Sequence, residues 1–92
     1  MKIANGSART QVQARIPFKG NNTFGEMVNG AYAVFSYGRH WPLFAYVDGT
    51  WFENQDRYGR TTSKHHGQLH PLEETEKVTK DELLELLSLT RS

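Results

Sequence analysis

Asp48-Gly49, set between Trp41–Val47 (WPLFAYV) and Thr50–Glu53 (TWFE), constrains this chain more than any other pair of residues. Aspartate followed by glycine suits a two-residue type I′ corner, because both central residues of that turn take positive φ. The corner fixes a register in which Val47 faces Thr50, Tyr46 faces Trp51 and Ala45 faces Phe52. Side chains alternate along a strand, so Tyr46 and Trp51 share one face while Leu43, Ala45 and Phe52 share the other. Pro42 has no N–H to give to a ladder, so this strand begins at an edge or a bulge. Ala31–Tyr37 (AYAVFSY) is a further strand, rich in β-formers and apolar on both faces, that turns through Gly38, Arg39 and His40.

The rest of the chain is read around this hairpin. Gln11–Ile16 (QVQARI) alternates Val12, Ala14 and Ile16 with polar residues, the period of a strand with one wet face that stops before Pro17. Residues 1–10 are expected to fray. Lys19–Thr23 is a loop, and Phe24, Met27 and Val28 form either one helical turn or a loop tucked under the sheet. Residues 54–77 are expected to be one long polar loop, irregular in pattern and therefore functional or disordered. Thr79 is a good N-cap, Glu82 completes a capping box, and Val78 with Leu83 forms a hydrophobic staple, which predicts a helix over 79–90. Leu83, Leu84, Leu86, Leu87 and Leu89 spread over half the helix circumference, wider than a simple amphipathic stripe. That helix is either seated in a concave groove or shared with a second copy as a homodimer. The expected fold is a single α+β domain over 1–92, a small antiparallel sheet of three to four strands with the C-terminal helix packed on it.

Composition narrows the chemistry. The chain has no cysteine, which excludes disulfide frameworks, thiolate catalysis and Cys-based zinc sites. No apolar run approaches the roughly 20 residues of a membrane span, and the N-terminal segment has no apolar core of a secretory signal, so a cytosolic location is expected. The net charge of +1 is unevenly placed. Residues 71–92 carry six acids against three bases, while residues 1–70 carry eight bases against four acids. Such an asymmetry orients a partner during encounter or is simply a solvated surface.

The candidate binding residues cluster after the hairpin. Arg57, Arg60 and Lys64 stand with Tyr58, Thr62, Ser63, His65 and His66 in a stretch free of acids from 57 to 70. Cations and hydroxyls together suit phosphate oxygens, although a Ser/Thr run also closes turns on its own backbone. His65, His66 and His70 carry no HExxH spacing and no neighbouring carboxylate, so no metal and no cofactor is expected. Gly67 and Pro71 argue against a helix there. A Ser–His–acid set from Ser36 or Ser63 with His40 and Asp48 lacks a nucleophile elbow, and Glu53 and Asp56 have polar neighbours rather than the separated environments of a carboxylate pair. No enzymatic activity is expected. Tyr46 and Trp51, with Phe44 and Tyr32, form an aromatic face that either stacks bases, anchors a protein partner, or is covered by the N-terminal segment while the C-terminal helix covers the opposite face.

Residues 33–44 (AVFSYGRHWPLF), followed by Trp51, Asn54, Asp56, Tyr58 and Thr61-Thr62-Ser63-Lys64-His65, resemble a family of short bacteriophage proteins. Its pattern is SYG-x-H-[WF]-P-L, then Y-S-x-T-T-S-K-H-x-x-Q. The likeness covers residues 31–71, with Gly59 standing where the pattern has serine. It implies a phage product acting in the host bacterial cytoplasm and supplies no catalytic residues. The resulting expectation is a non-enzymatic accessory protein that inhibits a host antiviral component, as an anti-CRISPR or anti-restriction factor. Its partner is then a host protein or nucleoprotein complex, met by the acidic stretch Glu73–Glu85 or by the basic loop. The alternative is a small nucleic-acid- or nucleotide-binding module that uses the basic 57–70 loop, with affinity falling steeply as salt rises.

Overall fold

The computed structural model describes residues 5–20, 22–39, 41–56, 65, 67 and 69–88. In chain order the elements are α1 (Asn5–Ala14), β1 (Phe18–Lys19), β2 (Thr23–Val28), β3 (Ala31–Ser36), β4 (Pro42–Val47), β5 (Thr50–Asn54), β6 (Thr75–Val78) and α2 (Lys80–Leu86). Asp48 and Gly49 take φ of 50° and 81°, the two positive values of the type I′ corner. The β4–β5 register is the one the corner dictates: Val47 opposite Thr50, Tyr46 opposite Trp51, Ala45 opposite Phe52. Pro42 opens β4 beside a register shift at Val34/Phe35, so the missing N–H falls at an irregularity in the ladder.

The sheet is larger than the expected three to four strands. Six strands lie in the order β1-β2-β3-β4-β5-β6. β1 to β5 pair antiparallel, and β6 adds parallel to β5, which makes the sheet mixed. Residues 24–28 belong to β2 rather than to a helical turn or loop, because Phe24 and Val28 pair with Phe35 and Ala31 along β3. β6 corrects the expectation of an unbroken loop over 54–77. Parallel neighbours need a crossover of a dozen or more residues, and the segment between Asn54 and Thr75 is that crossover. His65, Gly67 and Leu69 have helical backbone within it, despite Gly67 and the nearby Pro71.

The N-terminal segment is also corrected. Residues 11–16 are not a strand, and helix begins at Asn5 within the part expected to fray. Ala8 and Val12, four apart, are fully buried, whereas Ile16 is 48% exposed, so the spacing that matters is helical and the alternation of Val12, Ala14 and Ile16 is incidental. α1 ends in a Schellman-type cap. Arg15 takes a left-handed φ of 56°, its N–H donates to Val12 O, and the Ile16 N–H donates to Gln11 O.

Both sheet faces are covered. On one, Tyr32, Val34, Phe44 and Trp51 pack with Ala8 and Val12 of α1 and with Leu69 of the crossover. On the other, Ala31, Ala33, Phe35 and Ala45 pack with Leu83 and Leu87 of α2. The wide leucine arc thus resolves into Leu83 and Leu87 facing the sheet and Leu86 left 40% exposed. The α2 capping box forms as expected: the Thr79 hydroxyl accepts from the Glu82 N–H, and the Glu82 carboxylate accepts from the Thr79 N–H. The regular helix is shorter than 79–90, with Leu87 as its C-cap and Ser88 left-handed at φ 58°.

One glycine is required by contact. A β-carbon at Gly25 would stand 2.5 Å from Tyr32 Oη and 2.7 Å from the Phe18 ring. The Tyr32 phenol donates to Ile16 O at 2.8 Å, and burial pushes its pKa upward, keeping it a neutral donor. Gly25→Ala is therefore expected to destabilise the fold by about 1–3 kcal/mol, through displacement of Tyr32 and Phe18, when measured by urea denaturation. An unchanged midpoint would show that the β1–β2 end of the sheet yields freely.

Candidate functional site

The crossover from β5 to β6 carries the histidines singled out in the sequence, and the structure turns two of them inward. His65 is 5% exposed and its Nδ1 lies 2.8 Å from the Ser36 hydroxyl at the end of β3. The Tyr37 ring lies beside it, 5.6 Å between centroids. A hydroxyl beside an imidazole is the geometry of nucleophilic catalysis, but Ser36 is wholly buried and no substrate reaches its oxygen. The pair instead ties the crossover to the sheet.

His70 makes a second tie. Its Nδ1 accepts the Leu72 N–H at 2.9 Å, which places the proton of the neutral ring on Nε2. Nε2 then donates to Glu53 Oε1 at 3.2 Å, and the Thr75 hydroxyl donates to the same oxygen at 2.5 Å. Glu53 is 7% exposed, so these donors satisfy a carboxylate taken largely out of water. Both ring nitrogens of His70 are engaged within the chain. Its ring also meets Phe44 edge-on, 5.3 Å between centroids. Two side chains of α1 complete the attachment: Arg9 donates to Gly67 O and Gln13 to Pro71 O.

Asp56 is likewise committed. Asn54 Oδ1 accepts the Asp56 N–H, and the Asp56 carboxylate accepts the Lys80 N–H at 2.8 Å, in the first turn of α2 where negative charge is favoured. Glu53 and Asp56 thus serve separate structural ends. Among the described residues, no group of three or more His, Asp or Glu side chains is placed to hold a metal.

Of the other candidate residues, Trp51 is 3% exposed beneath the α1 side of the sheet. Tyr46 is partly buried, with its ring edge-on to Trp51 at 5.2 Å and the Arg15 guanidinium over it at 4.4 Å. The aromatic face is therefore covered by the N-terminal segment rather than presented to bases. Arg57, Tyr58, Arg60, Thr62, Ser63, Lys64 and His66 lie outside the described residues.

The exposed surface along β6 and α2 is rich in acids. Glu73, Glu74 and Glu76 around β6, with Asp81, Glu82 and Glu85 on α2, are all exposed. A cleft of about 500 Å³ lies where Tyr46, Trp51 and Thr75 meet Glu73, Glu74 and Glu76. A second, of about 410 Å³, lies on the opposite face between Phe52, Val78 and Leu86, with Glu82 and Glu85 among its lining. Sequence reasoning identified the acidic run but not the strand that displays it, since Thr75–Val78 is only four residues long and polar at both central positions.

Comparison with protein families, curated proteins and solved structures finds no match to this chain. Among the described residues, no helix is long and apolar enough to cross a membrane.

If Ser36–His65 is a structural tie, Ser36→Ala leaves a buried imidazole short of a partner. A loss of about 1–3 kcal/mol in urea denaturation is expected, with no labelling of the wild-type chain by a serine-directed phosphonate. Stoichiometric labelling at Ser36 would restore the catalytic reading.

Proposed function

We propose that this chain is a non-enzymatic bacteriophage accessory protein, acting in the host bacterial cytoplasm, that binds and inhibits a component of the host's antiviral defence. The observation that carries the reading is an acid-rich flank: Glu73, Glu74, Glu76, Asp81, Glu82 and Glu85, all exposed along β6 and α2, with Lys77 and Lys80 between them. A defence nucleoprotein of the CRISPR or restriction class presents a cationic channel to nucleic acid. A rigid domain bearing carboxylates at one edge competes for such a channel, and complementary charge raises its association rate. The resemblance of residues 31–71 to small phage proteins supports the same setting. The commitment of Ser36, Glu53 and His70 to internal bonds favours binding over catalysis.

Two measurements test this. A tagged chain is used to capture partners from bacterial lysate, with nuclease-treated and untreated eluates assayed for both protein and nucleic acid. The same chain is expressed in cells whose CRISPR or restriction system excludes a phage. Capture of a defence protein that survives nuclease, with restored plating, is expected. The charge reversal E73K/E74K/E76K should weaken capture by roughly tenfold through loss of complementary charge. Recovery of nucleic acid alone, lost at high salt, would replace this reading with the nucleic-acid-binding module.

A further inference from the structure

The outer edge of the sheet gives the acidic flank a more specific use. Val78 O accepts the Gln55 N–H at 2.8 Å, so the backbone of Val78 turns toward β5. In a strand the N–H and C=O of a residue point the same way and alternate from residue to residue. Glu76 therefore also turns toward β5, opposite Phe52, while Thr75 and Lys77 turn their N–H and C=O away from the sheet. β6 is the last strand, and among the described residues nothing hydrogen-bonds those outward groups. They form a short template for another strand.

What flanks this edge selects the occupant. An added strand sends alternate side chains to the two faces of the sheet. On one face lies the cleft lined by Tyr46, Trp51 and Thr75 with Glu73 and Glu74, while Glu76, opposite Phe52, sends its side chain to the other face. On the other lies the cleft floored by Phe52, Val78 and Leu86 and bordered by Glu82 and Glu85. Each joins an apolar or aromatic floor to carboxylates, the surroundings that suit the aliphatic stem and charged head of arginine or lysine. The chain's own Arg15 already lies over Tyr46 at 4.4 Å, so a cation entering this cleft meets the carboxylates of Glu73 and Glu74 rather than that ring face. A second copy would bring the same six exposed carboxylates, Glu73, Glu74, Glu76, Asp81, Glu82 and Glu85, against these, with Lys77 and Lys80 as the bases among them, so self-pairing is disfavoured.

We propose that the open edge of β6 takes an extended, arginine- or lysine-bearing segment of a protein partner as a seventh strand, its alternate side chains entering the two acid-bordered clefts. This rests on the reading of the chain as a protein-binding inhibitor and names the chemistry of the segment it grips.

The probe is the capped peptide Ac-TVRRVT-NH2, titrated into the full chain and followed through backbone amide shifts, with Ac-TVEEVT-NH2 as control. Shifts centred on residues 75–78 are expected, with a dissociation constant of roughly 0.1–1 mM, weaker in high salt. The Lys77→Pro variant removes one outward N–H and none of the β5–β6 bonds, so it should keep the thermal midpoint and lose the shifts. If Lys77→Pro fails to fold, E73Q/E76Q/E82Q/E85Q gives the same test through charge, with an expected loss of about tenfold. The proposal is overturned by shifts elsewhere, by equal binding of the glutamate peptide, by unaltered binding to either variant, or by a free chain that sediments as a dimer through β6. Peptide failure with plating still restored overturns the strand-addition proposal alone. Peptide binding without any effect on plating overturns only the antiviral target.

Discussion

The type I′ corner at Asp48-Gly49 is the constraint from which the rest of this structure descends. By holding Tyr46 opposite Trp51 and Ala45 opposite Phe52, it decides which aromatic groups go to which side of the sheet. A sheet apolar on both faces must be covered on both. The large groups Tyr32, Phe44 and Trp51 receive α1 and Leu69, while the side carrying Ala31, Ala33 and Ala45 lets Leu83 and Leu87 of α2 approach. With both faces packed, the parallel strand β6 is left as a sheet edge bordered by exposed carboxylates.

The hairpin, its register, the proline-started β4 and the Thr79–Glu82 cap were all legible because each depends on a few adjacent residues with strong local preferences. The N-terminal helix was not. Val12, Ala14 and Ile16 satisfy a period of two as well as Ala8 and Val12 satisfy a period of four, and only the presence of a sheet to cover decides between them. β6 was hidden for a different reason. A strand of sequence TEKV has little propensity of its own and exists because β5 offers it a ladder, a long-range pairing that local pattern does not encode.

The histidines show how a shared composition separates once folded. His65 and His70 sit in one polar stretch, and the stretch reads as a binding loop because nothing in the sequence pairs His65 with Ser36 or His70 with Glu53. Those partners come from β3 and β5. They convert part of a cationic connection into the fastening of a crossover, and the same fastening positions Thr75, whose hydroxyl shares the Glu53 oxygen, at the start of β6. The polar network thereby sets the strand that displays the acids, which links the interior chemistry of the crossover to the outer surface.

Whether β6 presents a free backbone edge is read residue by residue across 75–78 by amide hydrogen exchange of the unliganded chain. Fast exchange at Thr75 and Lys77 and slow exchange at Glu76 and Val78, whose N–H groups face β5, are expected. Equal protection at Lys77 and Glu76 would mean that the edge is already occupied, and would contradict a free edge.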